Sequence, residues 1–216
     1  MTLTDTQWKQ IEDLFPVPRR RRDGRGRPWI SNRRCFEGIL WVLRVGARWR
    51  DLPDEYPNGS TCWRRLRMWE EQGVWLRAWQ ALLARMDKRK LLDWEEAFLD
   101  ATFVIAKKGA LRSVRVPHSG RGRPRKRLRR VIADKGYDSD PLRQRLRDRG
   151  TDLIVPYRSR TKNRRFEDKQ KLRRYRRRWK IERTNAWLQN FRRIQVRYDR
   201  ILSVYQGFTV LASSSP

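Results

Sequence analysis

Three carboxylates stand out by where the sequence sets them. Asp100 interrupts the apolar run Ala97-Phe-Leu-Asp-Ala-Thr-Phe-Val-Ile105, Asp134 closes the shorter run Val131-Ile-Ala-Asp-Lys-Gly-Tyr137, and Glu182 is the single acid in the strongly basic stretch 175–193. Strands disfavour aspartate, so each break needs a reason. Three convergent carboxylates bind hard divalent cations. Two Mg2+ ions about 3.5 to 4 Å apart activate a water or a 3′-hydroxyl and stabilise the leaving oxygen of an in-line phosphodiester displacement. Taken singly, each acid fits a helix cap, a turn or a salt bridge equally well.

The elements that would position these acids are legible to different degrees. Residues 175–193 contain no Gly or Pro and predict one helix. At ~100° per residue, Tyr175, Trp179, Glu182, Ala186 and Arg193 fall within roughly 60° of one another, which aims Glu182 along the stripe a helix buries. A buried charge needs a cation, a hydrogen-bond partner or a metal. Arg178, one turn earlier, is the simplest partner.

Composition narrows the function. The 216 residues carry 54 Lys and Arg against 24 Asp and Glu, a net charge of +30 and a pI near 11.5. Such a chain repels itself unless a polyanion shares its field, and nucleic acid is the expected partner. No stretch approaches the ~18 consecutive apolar residues of a membrane span, and no signal-peptide core follows Met1, so the cytoplasm is the expected location. Cys35 and Cys62 lack CxxC spacing and read as packed thiols. The lone histidine, His118, sits beside Pro117 and Gly120, which leaves histidine-based triads and two-histidine metal sites without material.

In order, Thr4-Asp5 caps a short amphipathic helix with Trp8, Ile11, Leu14 and Phe15. The basic linker 19–28 follows, and Ser31-Asn32 opens a helix carrying Phe36, Ile39, Leu40 and Leu43 that ends near Gly46. Ser60-Thr61 caps a helix with Trp63, Leu66 and Trp69 in a stripe flanked by Arg64, Arg65 and Arg67. This helix-turn-helix-like unit predicts residues 61–72 as the element placed against DNA, although a plain bundle with solvated arginines has the same pattern. A fourth helix carries Trp75, Trp79, Leu82, Leu83 and Met86. Beyond residue 88 short strands alternate with helices, including Asp140-Pro141 as a helix start and Leu153-Ile-Val-Pro156 as a strand, which predicts an α/β layer. The repeated Arg25-Gly-Arg27-Pro and Arg121-Gly-Arg123-Pro match an extended basic segment that enters a narrow minor groove, or a solvated linker.

Phe98-Leu-Asp100-Ala-Thr, Ile132-Ala-Asp134-Lys-Gly-Tyr-Asp and the spacing Tyr175, Arg178, Glu182 resemble the DDE transposases of bacterial insertion sequences, in the insertion-sequence-five-like group. Gly38-Ile-Leu-Trp-Val-Leu-Arg44 and Trp49-Arg-Asp-Leu-Pro53 resemble the leading domain of that group. The resemblance implies an RNase H-like catalytic region over residues 89–216, preceded by a helical DNA-binding domain over 1–88. It further implies Mg2+-dependent cleavage and strand transfer at transposon ends, with Asp100, Asp134 and Glu182 as catalytic metal ligands. Tyr175 and Arg178 are then phosphate contacts, Arg193 joins the DNA-binding set, and the protein acts as a homodimer on paired double-stranded DNA ends.

Two departures from that pattern carry expectations of their own. Only 34 residues separate Asp100 from Asp134, and residues 101–133 hold no acid and eleven Lys or Arg. An RNase H-like sheet needs two further strands there, and Leu111 to Val116 supplies one at most. An internal deletion near residues 109–113 is therefore expected, leaving the sheet incomplete and an edge exposed. Gln189 stands where related elements often carry lysine. Against an active transposase stands a non-catalytic DNA-binding remnant; a basic RNA-binding protein is disfavoured because no aromatic RNP pair occurs.

Overall fold

The structure, a computed structural model, describes residues 3–17, 28–100, 105–106 and 128–214. The first elements are the helices α1 (Asp5–Lys9), α2 (Asn32–Val45), α3 (Gly59–Glu71) and α4 (Val74–Lys88). Next come β1 (Glu96–Leu99), β2 (Ile105–Ala106), β3 (Arg130–Ala133), α5 (Asp140–Arg147), β4 (Asp152–Ile154) and α6 (Lys169–Leu172). After them come α7 (Trp179–Leu188), α8 (Arg192–Gln195), β5 (Val196–Arg197) and α9 (Leu202–Ser214). Short 3-10 segments lie at Glu12–Leu14, Trp49–Asp51, Lys135–Tyr137 and Arg173–Arg178. The chain forms two compact units. One comprises Met1–Met86, Val104–Val114 and Leu188–Pro216, the other Asp87–Phe103 and Arg115–Trp187. The segment from Leu188 onward thus packs with the helical unit instead of continuing the 89–216 region.

The first unit is helical because its caps and stripes agree. Thr4 closes a capping box with Gln7. α2 ends at Gly46, whose φ of 73° suits the left-handed cap that glycine adopts without strain. α3 starts at Gly59 with Asn58 as its cap, not at Ser60-Thr61; the Asn58 side chain accepts from the Ser60 N–H at 2.9 Å. The start is fixed by close approach, since a side chain on Gly59 would be driven into the Trp49 carbonyl. Aromatic rings fill the core. Phe15 meets Trp69 at 4.6 Å and Phe36 at 5.4 Å, both edge-on, and Trp69 meets Trp75 at 5.7 Å and 86°, as ring quadrupoles favour. α9 contributes Val204, Phe208, Leu211 and Ala212 to the buried set, and Trp49 stacks on Phe208. Cys35 and Cys62 are buried free thiols.

The second unit is α/β. Its sheet runs β1-β3-β4, all parallel, with Leu99 opposite Ala133 and Ile132 opposite Ile154. Ile132, Ala133 and Ile154 are buried, as strands covered on both faces require. α5 makes the crossover between β3 and β4; its cap is Ser139, one residue before the expected Asp140. The buried Arg143 locks this crossover, donating to Asp138 at 2.6 Å, Asp140 at 3.0 Å and the Val155 carbonyl at 3.0 Å.

Residues 175–193 do not form one helix. A 3-10 segment runs through Arg178, α7 follows, and α8 begins separately after Phe191. A 3-10 helix turns 120° per residue and eclipses positions i and i+3. Arg174 and Arg177 therefore share one face, and both reach the carboxylate of Glu96 on β1. Glu96 is 4% exposed at its side chain, and two arginines on one buried acid compensate its desolvation. The helical stripe drawn from Tyr175 to Arg193 consequently dissolves, and the Glu182 side chain is 58% exposed instead of buried.

Candidate functional site

The site lies in the second unit, at the carboxyl ends of β1 and β3. Asp100 directly follows β1 and Asp134 directly follows β3, and the Leu99-Ala133 register sends both acids off at the same level of neighbouring strands. Parallel strands lie about 4.8 Å apart, and the carboxyl ends of such strands are where open α/β sheets place ligands. The two break-points in the sequence are therefore one place in the fold.

α7 brings the third acid to the same place through an arginine. Arg178 Nη1 donates to Glu182 Oε1 at 3.0 Å, and Arg178 Nη2 lies 3.5 Å from Asp100 Oδ1. Asn185 Nδ2 donates to Asp100 Oδ2 at 3.0 Å. Arg178 Nε is buried without an acceptor among the described residues. Burial works against the Arg178 charge, but Tyr175, Asp100 and Glu182 outweigh it and raise the pKa above the ordinary arginine value. This guanidinium is a permanent cation. Asn185 escaped the sequence reading; its signal is the spacing of four and then three residues that sets Arg178, Glu182 and Asn185 on one side of the turn.

Asp134 is held differently. Its side chain caps the 3-10 turn at Lys135–Tyr137 by accepting from the Gly136 N–H at 3.0 Å. Among the described residues, no group of three His, Cys, Asp or Glu side chains is disposed to hold a metal ion. The donor chemistry is right for a hard divalent cation, but the arrangement does not fit one. Asp100 has a donor on each carboxylate oxygen, Glu182 Oε1 holds the guanidinium, and Asp134 Oδ1 holds a backbone N–H.

The basic residues singled out for DNA divide into three groups. Arg64 is exposed and bonds only within its own helix turn, to the carbonyl and hydroxyl of Ser60 at 3.3 and 3.4 Å. Arg67 pairs with Glu71 at 2.7 Å. By contrast Arg65 is buried, its guanidinium 3.3 Å over the Trp29 ring and bonded to Asn32 and the Ile30 carbonyl. Arg193 is 4% exposed and grips Asp199 at 3.0 and 3.2 Å and the Ala47 carbonyl at 3.1 Å. The structure gives Arg65 and Arg193 to the core because each found a partner that local pattern does not announce. Arg25, Arg27, Arg121, Arg123, His118 and the expected deletion near 109–113 lie outside the described residues.

Comparison with known proteins adds a second line of observation. A family model described as "Putative transposase of IS4/5 family" matches residues 3–79, and one described as "Transposase DDE domain" matches 111–214. The chain is 45% identical to the insertion element IS402 uncharacterized 16.2 kDa protein of Burkholderia cepacia, over 48% of this chain and 73% of that one. It is 42% identical to a protein of the same organism named "Putative transposase for insertion sequence element IS402", over 42% of this chain and 39% of that one. An uncharacterized protein of Sinorhizobium fredii is 35% identical over 48% of this chain and 76% of its own length. No solved structure matches.

Proposed function

We propose, from the premise that this chain belongs to the IS4/5 family of insertion-sequence transposases, that it cleaves and joins DNA at insertion-sequence ends. The observation that carries this reading is the emergence of Asp100 and Asp134 from adjacent parallel strand ends, with Glu182 linked to Asp100 through Arg178. An RNase H-like region built on the β1-β3-β4 sheet is the fold this reading implies. Asp100, Asp134 and Glu182 are the acids of the reaction, Mg2+ is the ion they take, and the exposed arginines hold strands and offset phosphate charge. Exposed Trp179, with Arg183 5.8 Å over its ring, offers a stacking face to an unpaired base. In the helical unit, α3 presents Arg64 and Arg67 to the duplex, and two copies act on paired ends. No helix among the described residues is long and apolar enough to cross a membrane.

The test is a nicking assay with the intact chain on DNA carrying the insertion-sequence ends, with and without Mg2+. Mg2+-dependent nicking that disappears in Asp134→Ala, while DNA binding persists, is the expected result. Binding without nicking in the unsubstituted chain would instead assign the non-catalytic remnant.

A further inference from the structure

We infer that Arg178 is an internal counter-cation that joins Asp100 to Glu182 and must leave them before a divalent ion can bind. The inference rests on the reading of Asp100, Asp134 and Glu182 as ion ligands and adds the residue that controls their availability. The geometry is a single guanidinium with one amino group on each of two carboxylates, at 3.0 Å to Glu182 and 3.5 Å to Asp100. A monovalent cation fixed in the protein thus balances two acids that would otherwise repel each other at the mouth of the sheet. It also fills the oxygen positions a hard dication would take.

Two features suit Arg178 for displacement. The 3.5 Å contact to Asp100 is at the outer limit of a hydrogen bond, and Nε has no acceptor, so the guanidinium is incompletely bonded where it stands. Its side chain retains 23% exposure and emanates from the end of the 3-10 segment, within reach of solvent. Asn185 does the complementary task. Its neutral amide holds Asp100 Oδ2 at 3.0 Å without competing as a charge, so Asp100 keeps its orientation when the guanidinium departs. A DNA phosphate, which takes two parallel N–H donors from an arginine, is the natural destination. DNA and the dication then favour each other's binding, because one removes the group that blocks the other, and the coupling is reciprocal.

The experiment is Mn2+ binding to the full chain by titration calorimetry and electron spin resonance, comparing the unsubstituted protein, Arg178→Gln and Asp134→Asn. The inference expects Arg178→Gln to bind Mn2+ at least tenfold more tightly, with the gain lost on adding Asp100→Asn. Equal or weaker binding in Arg178→Gln, while Asp134→Asn weakens the unsubstituted protein, would overturn the counter-cation and leave the ion ligands standing. Absence of Mn2+ binding in every form would overturn both. A readout on the unsubstituted chain guards against a variant that fails to fold: the Arg178 side-chain 15N resonance should move on Mg2+ addition and move further with DNA present. A resonance unchanged to saturating Mg2+ would sink the displacement.

Discussion

Glu96 and Arg177 meet at 2.8 Å although 81 positions of sequence separate them. Arg174 takes the other oxygen of the same carboxylate. The pair pins the 3-10 segment to β1, only four residues before Asp100, and so sets the direction in which α7 delivers Glu182 and Asn185. Position at the candidate site therefore depends on an acid that itself does no chemistry.

Replacing Glu96 by Gln tests this tie. Burial alone would raise the Glu96 pKa, but the Arg177 and Arg174 hydrogen bonds and charges overcome it and hold the carboxyl below its ordinary value. A depressed folded pKa contributes stability above the unfolded value near 4.3, and that contribution fades as pH falls through the folded one. Glu96→Gln should lower stability by about 1.5 to 3 kcal/mol at pH 7 and by less at pH 3. Urea unfolding at both pH values measures it, and equal loss at both would refute the linkage.

Arg143 is the second buried tie. It donates to Asp138 at 2.6 Å, with both side chains nearly inaccessible, and its guanidinium lies 4.1 Å over the Tyr157 ring. Arg143→Met leaves Asp138 buried and unpaired, which should cost about 3 to 5 kcal/mol. Adding Asp138→Asn should recover part of it, as read from the chemical-denaturation midpoint.

Two glycines should respond differently to alanine. At Gly59 the added carbon meets the Trp49 backbone, which no rotamer relieves, so the loss should reach or exceed about 3 kcal/mol. At Gly150 nothing lies within 4 Å and only its φ of 74° opposes a side chain, so about 1 to 2 kcal/mol is expected. Thermal melts of the two variants rank them directly.

Neighbouring arginines of α3 should part company in DNA binding. Arg64→Ala should weaken binding and reduce the slope of log affinity against log salt by about 1, without changing stability. Arg65→Ala should instead lower the melting temperature, because it removes the Trp29 stack and the bond to the Ile30 carbonyl.

The helices of the first unit and the two aspartates were readable because their signals are local. Thr4, Gly46 and the α2 stripe act within a few residues, and an acid that breaks an apolar run is visible at once. Glu182 was found by residue type, but its direction was misjudged because 100° per residue was extended across a segment that turns 120°. Arg65 and Arg193 were unreadable as core residues. Their burial depends on Trp29 and Asp199, and nothing beside an arginine in sequence announces a distant ring or carboxylate that will accept it.

The packing of α9 against α3 has a consequence for how the chain is made. Val204 and Phe208 close a core begun by Phe15, Phe36 and Trp69, yet they leave the ribosome well over a hundred residues later. At about 5 to 20 residues per second the nascent helices wait about 6 to 25 s with their aromatic face uncovered, while the sheet unit encoded between them already has all its residues. Synthesis order and assembly order are thus reversed, and the interval before α9 emerges is when this polypeptide is most in need of a chaperone.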